Sequence, residues 1–220
     1  MHIGLIGGIG PAATDFYYRS LITLAAQKNR ALDLTIVHAD APTLLAHLAA
    51  DDQTAQCAIY DRLTERLARA GAECMAITSI AGHFCVDRFS ETAALPVINL
   101  PQALQNWLKT QGLNRVGILG TQTVMASAMY GKLAPVECLA PEGTELERVH
   151  EAYVTLAQSG VSSPELQAVF FAAGRALMAR GAEAVLLGGT DLNPAFAGAD
   201  CGFPIVDCAD IHIQEIAQRI

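Results

Sequence analysis

The stretch Arg69-Ala70-Gly71-Ala72-Glu73-Cys74-Met75-Ala76-Ile77-Thr78-Ser79 reads in register against Ala179-Arg180-Gly181-Ala182-Glu183-Ala184-Val185-Leu186-Leu187-Gly188-Gly189. Both copies share Gly-Ala-Glu, and both continue into a short apolar run. Two further matches keep the same order. His2-Ile3-Gly4-Leu5-Ile6-Gly7-Gly8 pairs with Arg115-Val116-Gly117-Ile118-Leu119-Gly120-Thr121, and Leu95-Pro96-Val97-Ile98-Asn99 pairs with Phe203-Pro204-Ile205-Val206-Asp207. An offset of about 110 residues is too long for a solenoid and fits a duplicated half-chain unit.

The apolar runs Ile3–Ile6, Leu34–Val37, Met75–Ile77, Val97–Ile98, Val116–Leu119, Val185–Leu187 and Ile205–Val206 are near-continuous, as strands covered on both faces should be. Between them, Gln53–Arg69 and Pro164–Arg180 carry apolar residues at helical spacing, with Gly71 and Gly181 placed to end them. Strands alternating with helices predict an α/β fold. The expected architecture is two pseudo-symmetric lobes, each a parallel sheet flanked by helices, with a ligand cleft between them. The expected division is 1–99 plus 208–220 for the first lobe and 100–207 for the second.

Composition narrows the function classes. A net charge of −8 over 220 residues argues against a nucleic-acid partner, since phosphate binding draws on clustered Lys and Arg. With 52% hydrophobic and 16% charged residues the chain can bury a sizeable core. No apolar run reaches the roughly 20 residues of a membrane span, so no membrane association is expected. The opening MHIGLIGG enters a strand without the features of a secretion signal, and the six cysteines show no paired spacing. The expectation is a cytoplasmic protein with free thiols.

In open parallel sheets ligands bind beyond the carboxyl ends of the strands. Those ends carry Gly7–Thr14, His38–Thr43 and Ser79–His83 in the first copy, and Gly120–Thr123 and Gly188–Pro194 in the second. They are small, polar and glycine-rich, so backbone N–H groups can approach an anion.

Here the sequence resembles a known family. Gly4-Leu5-Ile6-Gly7-Gly8-Ile9-Gly10-Pro11-Ala12-Ala13-Thr14, followed by Phe16-Tyr17-Tyr18, looks like the opening of aspartate/glutamate racemase family proteins. Leu119-Gly120-Thr121-x-x-Val124-Met125 with Tyr130 resembles their mid-chain pattern, and Val185-Leu186-Leu187-Gly188-Gly189-Thr190-Asp191-Leu192 resembles their second signature. The resemblance spans nearly the whole chain. It implies cofactor-independent chemistry at a carbon next to a carboxylate, a homodimer, and a small carboxylate ligand. It also implies a pair of cysteines that remove and return a proton. When the signature histidine is placed on His83, Ser79 falls at the first cysteine position and Gly189 at the second. The sequence therefore departs from the family at both thiols, and efficient racemisation of aspartate or glutamate is not expected. Putting thiols back through Ser79→Cys and Gly189→Cys is expected to restore slow proton exchange.

The candidate catalytic residues are Ser79, His83 and Asp191; the candidate substrate-binding residues are Gly8, Gly10, Thr14, Thr121, Thr123, Gly189 and Thr190. Each has a plainer reading. Ser79 could simply end a strand, His83 could be a satisfied structural histidine, and Asp191 could cap the turn before Pro194. Cys85 lies nearest the first signature and reads as core. Gly8-x-Gly10-x-x-Ala13 only approximates a dinucleotide fingerprint, because Pro11 removes an N–H and Asp40 comes too late for the ribose. His38, Asp40 and His83 lack a metal-ligand spacing, and no Gly-x-Ser-x-Gly supports a hydrolytic triad. Neither cofactor nor metal is expected. Two functions stay open: a racemase-like enzyme with rearranged acid/base groups, and a binding or regulatory protein that keeps the site without catalysis.

Overall fold

The computed structural model describes residues 1–220. The chain separates into two compact units, residues 1–100 with 209–220, and residues 101–208. In chain order the first contains β1 (His2–Gly7), α1 (Pro11–Gln27), β2 (Asp33–His38), α2 (Ala41–Ala49), α3 (Gln53–Arg69), β3 (Cys74–Ile77), a 3-10 turn (Ala81–Cys85), α4 (Val86–Thr92) and β4 (Val97–Ile98). After α5 (Leu100–Gln111), the second unit contains β5 (Arg115–Leu119), α6 (Gln122–Ala126), β6 (Glu137–Leu139), α7 (Gly143–Ser159), α8 (Pro164–Ala179), β7 (Ala184–Leu187), a 3-10 turn (Thr190–Leu192), α9 (Asn193–Phe196) and β8 (Ile205–Asp207). Helix α10 (Cys208–Ala217) closes the chain.

Each unit has one four-stranded sheet. Their orders are β2-β1-β3-β4 and β6-β5-β7-β8, and every pairing is parallel. The registers match as well: Ile3 pairs with Cys74 in one sheet, and Val116 with Ala184 in the other. The duplication in sequence is thus a duplication of sheet topology.

Local chemistry explains the boundaries. Helix α3 starts where the Asp52 carboxylate accepts the Ala55 N–H at 2.9 Å, and α8 where the Ser163 hydroxyl accepts the Leu166 N–H at 3.3 Å. Both end at a glycine in the left-handed region, Gly71 at φ +93° and Gly181 at φ +96°. Just beyond these glycines, exposed Glu73 and Glu183 take up backbone N–H groups of His2 and of Asn114 and Arg115. The same Glu therefore pins the start of the central strand in each copy.

The first core gathers Ile3, Leu5 and Ala76 of the sheet, Tyr17 and Leu21 of α1, and Ala209, Ile213 and Ile216 of α10. Inside it, His212 is fully buried between Tyr17 and Ile98. Its Nε2–H donates to the Ile98 carbonyl at 2.8 Å, and its Nδ1 accepts the Tyr17 hydroxyl at 2.9 Å. The second core joins Leu119, Val185 and Leu187 to Val149, Tyr153 and Leu156 of α7 and Phe170, Ala173 and Leu177 of α8.

Two details depart from the sequence reading. Strand β2 lies at a sheet edge, and Ile36 is exposed rather than covered. Strand β6, with only three residues and no apolar run, is not visible in the sequence pattern.

Candidate functional site

In each unit the chain leaves the central strand first to one side of the sheet and then to the other, which creates a topological switch point. It falls between β1 and β3 in the first unit and between β5 and β7 in the second. Loops at the carboxyl ends of such strand pairs are where ligands of α/β sheets bind.

In the first unit the β1 end is held by Thr14. The Gly8 N–H donates to the Thr14 hydroxyl oxygen at 3.0 Å, and that hydroxyl donates to the Gly10 carbonyl at 3.0 Å. The Thr14 and Thr78 hydroxyl oxygens are 3.1 Å apart, which ties the β1 loop to the β3 end. Ser79 follows directly and is buried. His83 is fully buried in the turn beyond it. Its Nδ1 lies 2.7 Å from the Ser79 carbonyl oxygen and donates to it, while Nε2 accepts the Leu100 N–H at 3.4 Å. With both ring nitrogens engaged by backbone, His83 positions the Ser79 loop. Gly8, Gly10, Thr14, Ser79 and His83 are therefore gathered at one switch point.

In the second unit the Gly188 N–H donates to the Leu119 carbonyl at 2.7 Å, which joins the two strand ends. Thr121 caps α6 by accepting the Val124 N–H at 3.3 Å. Thr123 sits two residues further on, in the first turn of α6, and is exposed. Gly189 and Thr190 are buried, and Asp191 is partly buried in the turn after β7. Asp191 does not cap that turn. Its carboxylate accepts the hydroxyl of Tyr153, from α7, at 2.9 Å. Burial pushes the Asp191 carboxyl above the usual carboxylate range, although the Tyr153 hydrogen bond pulls it down. Burial, and then the Asp191 charge, push the Tyr153 phenol well above its ordinary value.

At Gly189 the space that a side chain would need is occupied. A Cβ built there would stand 2.8 Å from Cζ and 2.9 Å from the hydroxyl oxygen of Tyr153, with ring carbon Cε2 nearer still. The ring already occupies the direction in which a residue-189 side chain would project.

A family model described as Asp/Glu/Hydantoin racemase matches residues 6–216. The chain belongs to this racemase family. Its fold is also that of solved members. It resembles a candidate Asp/Glu racemase from Yersinia pestis at 24% identity and a TM-score of 0.88, covering 100% of this chain and 99% of that one. An aspartate racemase homologue from Pyrococcus horikoshii OT3 gives 24% identity and 0.83, with 99% of each chain covered. A glutamate racemase from Francisella tularensis, solved with D-glutamate, gives 18% identity and 0.67, covering 99% of this chain and 80% of that one.

Within this racemase-family chain, the two equivalent strand-end positions are Ser79 and Gly189, and neither is a cysteine. Cys57, Cys74, Cys85, Cys201 and Cys208 are buried and Cys138 is half-buried, all as free thiols. Burial raises the Cys57, Cys74, Cys138 and Cys208 thiols above their ordinary value, Cys138 to about 11, so none of these is poised as a thiolate. No three His, Cys, Asp or Glu side chains gather in a group that could hold a metal ion. No helix is long and apolar enough to cross a membrane.

Two features lay outside the reading of motifs. Tyr153 sits on the apolar face of a helix with no motif around it; the available signal is that α7 has 17 residues where α2, its counterpart before the long helix, has 9. Second, a groove of about 300 Å³ at the carboxyl end of β2 is lined by His38, Asp40, Thr43, Arg62 and Arg66, among others. Its two guanidinium groups come from α3, not from the loop after β2. Asp40 itself is used as the cap of α2, accepting the Thr43 N–H at 2.9 Å, and its Thr43 hydrogen bonds hold its carboxyl below the usual range.

Proposed function

We propose that this family member is a cofactor-independent enzyme that moves a proton at the α-carbon of a small carboxylate, without a thiol pair. The observation that carries this reading is Asp191. A carboxylate at the end of the central strand pair, raised by burial and restrained by one hydrogen bond, has the properties of a general base. At the ends of the same strand pair, Thr121, Thr190 and the Gly189 backbone offer hydroxyls and an N–H suited to a carboxylate. The first unit has a loop of its own at the equivalent strand end, where Thr14 and His83 hold the Gly8–Gly10 backbone and the Ser79 segment in place. Serine without an adjacent base does not ionise near neutrality, so the base is assigned to Asp191 and not to Ser79.

The test is α-hydrogen exchange in heavy water, followed by proton NMR, on L-alanine, L-serine, L-aspartate, L-glutamate and 5-methylhydantoin, each first scored for a thermal shift. The expected result is exchange of L-alanine or L-serine that Asp191→Ala abolishes, with little exchange of aspartate or glutamate. A thermal shift without exchange would identify a binding protein instead. Exchange of 5-methylhydantoin alone would refute the carboxylate class.

A further inference from the structure

The two copies of the repeat differ at one chemically decisive place. Counting from the shared Gly-Ala-Glu, Ser79 and Gly189 are equivalent, so the first unit has a hydroxyl at its strand end and the second has none on its own chain position. Helix α7 supplies it. The Tyr153 hydroxyl oxygen lies 2.9 Å from where a residue-189 Cβ would be, and 2.9 Å from the Asp191 carboxylate. The residue equivalent to Asp191 in the first copy is Ala81, which carries no acid. Only the second unit therefore combines a hydroxyl with a carboxylate at its switch point. Tyr153 keeps 8% of its surface exposed and Asp191 is only partly buried, so the pair is not sealed within the core.

We propose that Tyr153 is a catalytic residue, its phenol filling the place of the side chain absent at Gly189 and passing a proton between the substrate α-carbon and Asp191. This deepens the proposed function and rests on it. In the forward step the α C–H bond breaks and its proton goes to the Tyr153 oxygen, while the phenol proton goes to Asp191. The negative charge leaves the Asp191 carboxylate and appears on the substrate as its enolate; Tyr153 ends neutral and Asp191 ends as the neutral acid. Once solvent has replaced the proton held on Tyr153, return along the same path regenerates both groups and leaves a solvent-derived hydrogen on the α-carbon. No oxidant, reductant or cofactor enters the balance. A phenol suits this relay because it stays protonated at neutral pH until the carboxylate beside it takes the proton.

The experiment compares wild-type protein with Tyr153→Phe, which keeps the ring that fills the space beside Gly189 and removes only the hydroxyl. Exchange of the L-alanine and L-serine α-hydrogens is followed by NMR, with binding of the same compounds measured by ligand-observed titration. The expected result is a loss of about 10²–10⁴-fold in exchange with binding changed less than about threefold, because a proton-transfer group acts on the chemical step. A structural role for the hydroxyl would move binding and melting temperature together with exchange. Exchange that survives Tyr153→Phe overturns this proposal and leaves the proposed function standing. Absence of exchange in the wild-type protein overturns both. As a second variant, Tyr153→Ala combined with Gly189→Cys places a thiol in the vacated volume. Exchange above that of Tyr153→Ala alone, abolished by iodoacetamide, would support the assignment of that volume to the acid/base group; equal exchange in the two would count against it.

Discussion

Replacing Gly189 by alanine tests whether Tyr153 is locked where the structure puts it. The added methyl would stand 2.8 Å from Cζ, 2.9 Å from the hydroxyl oxygen, and nearer still to Cε2. Carbon atoms pack best at about 3.5–4.0 Å, so the ring must withdraw by roughly 1 Å or more. It has little room to do so, since it packs in the core with Leu119, Met125, Val149, Phe170 and Leu192 and is tethered at its far end to Asp191. Overpacking of this kind costs about 1–3 kcal/mol, and losing a hydrogen bond to a charged acceptor about 1.5–3 kcal/mol more if the ring swings away. A destabilisation of about 3 kcal/mol follows, or a fall in Tm of roughly 6–12 °C for a chain of this size. Urea unfolding followed by circular dichroism reads it directly. Trimming the ring first removes the clash. In the cycle of Gly189→Ala, Tyr153→Leu and the double variant, the double should therefore be more stable than the sum of the singles by about 1 kcal/mol or more. Gly189→Ala within about 0.5 kcal/mol of wild type, or strict additivity in the cycle, would refute the placement of Tyr153. The same geometry corrects an expectation from the sequence: Ser79→Cys with Gly189→Cys cannot by itself install a working thiol pair, because the second side chain meets the Tyr153 ring.

Other outcomes follow from single interactions. Tyr17→Phe should cost about 1–3 kcal/mol by leaving the buried His212 Nδ1 without its donor, measured by urea midpoint at pH 7.5. Burial, with His83 as a lesser cause, pushes His212 down to about 3; its folded value is depressed below the unfolded one, so it disfavours the protonated fold. Stability should thus be full above roughly pH 6.5 and fall by up to about 1.4 kcal/mol per unit as pH drops from there towards 3, a slope that a neutral His212→Gln variant would lack. Gly174→Ala should destabilise the second unit by about 1–3 kcal/mol, since its methyl would stand 2.7 Å from Cε2 of Phe203 with Cζ nearer; calorimetry should show the loss. Asp52→Ala, which removes the cap of α3, should cost about 1 kcal/mol.

How far the sequence carried these assignments depends on whether the information was local. The strands of the central pairs were legible because four or five non-polar residues in a row, all buried, have few other uses, and Gly71 and Gly181 marked the helix ends as the residues that most readily take the left-handed conformation found there. Strand β6 was not, because its partner β5 rather than its own three residues makes it a strand. At the site, the loops carrying Ser79, Gly189, Thr190 and Asp191 were legible from strand-end position and motif. The environments of their side chains were not. The histidine of the first signature could be read as acid/base or structural, and only its two backbone partners, Ser79 and Leu100, give it a positioning role. Tyr153 and Asp191 are 38 residues apart, and nothing in either neighbourhood announces the other.

The asymmetry between the copies has a physical logic. Both copies keep the features that make a strand end: the glycine after the helix, the Glu that pins the neighbouring strand, and the parallel register. These are constraints on backbone geometry, and changing them in one copy would misalign its sheet. A side chain projecting beyond the last strand residue is not so constrained, because another element can reach the same point. In the second unit that element is α7, whose Tyr153 brings both a ring large enough to occupy the space and a hydroxyl at its tip. Once the ring is there, residue 189 is restricted to glycine by close packing rather than by backbone conformation, since no left-handed φ is required of it. The glycine and the tyrosine are therefore one feature read from two places in the chain, and a change at either position has to be judged with the other.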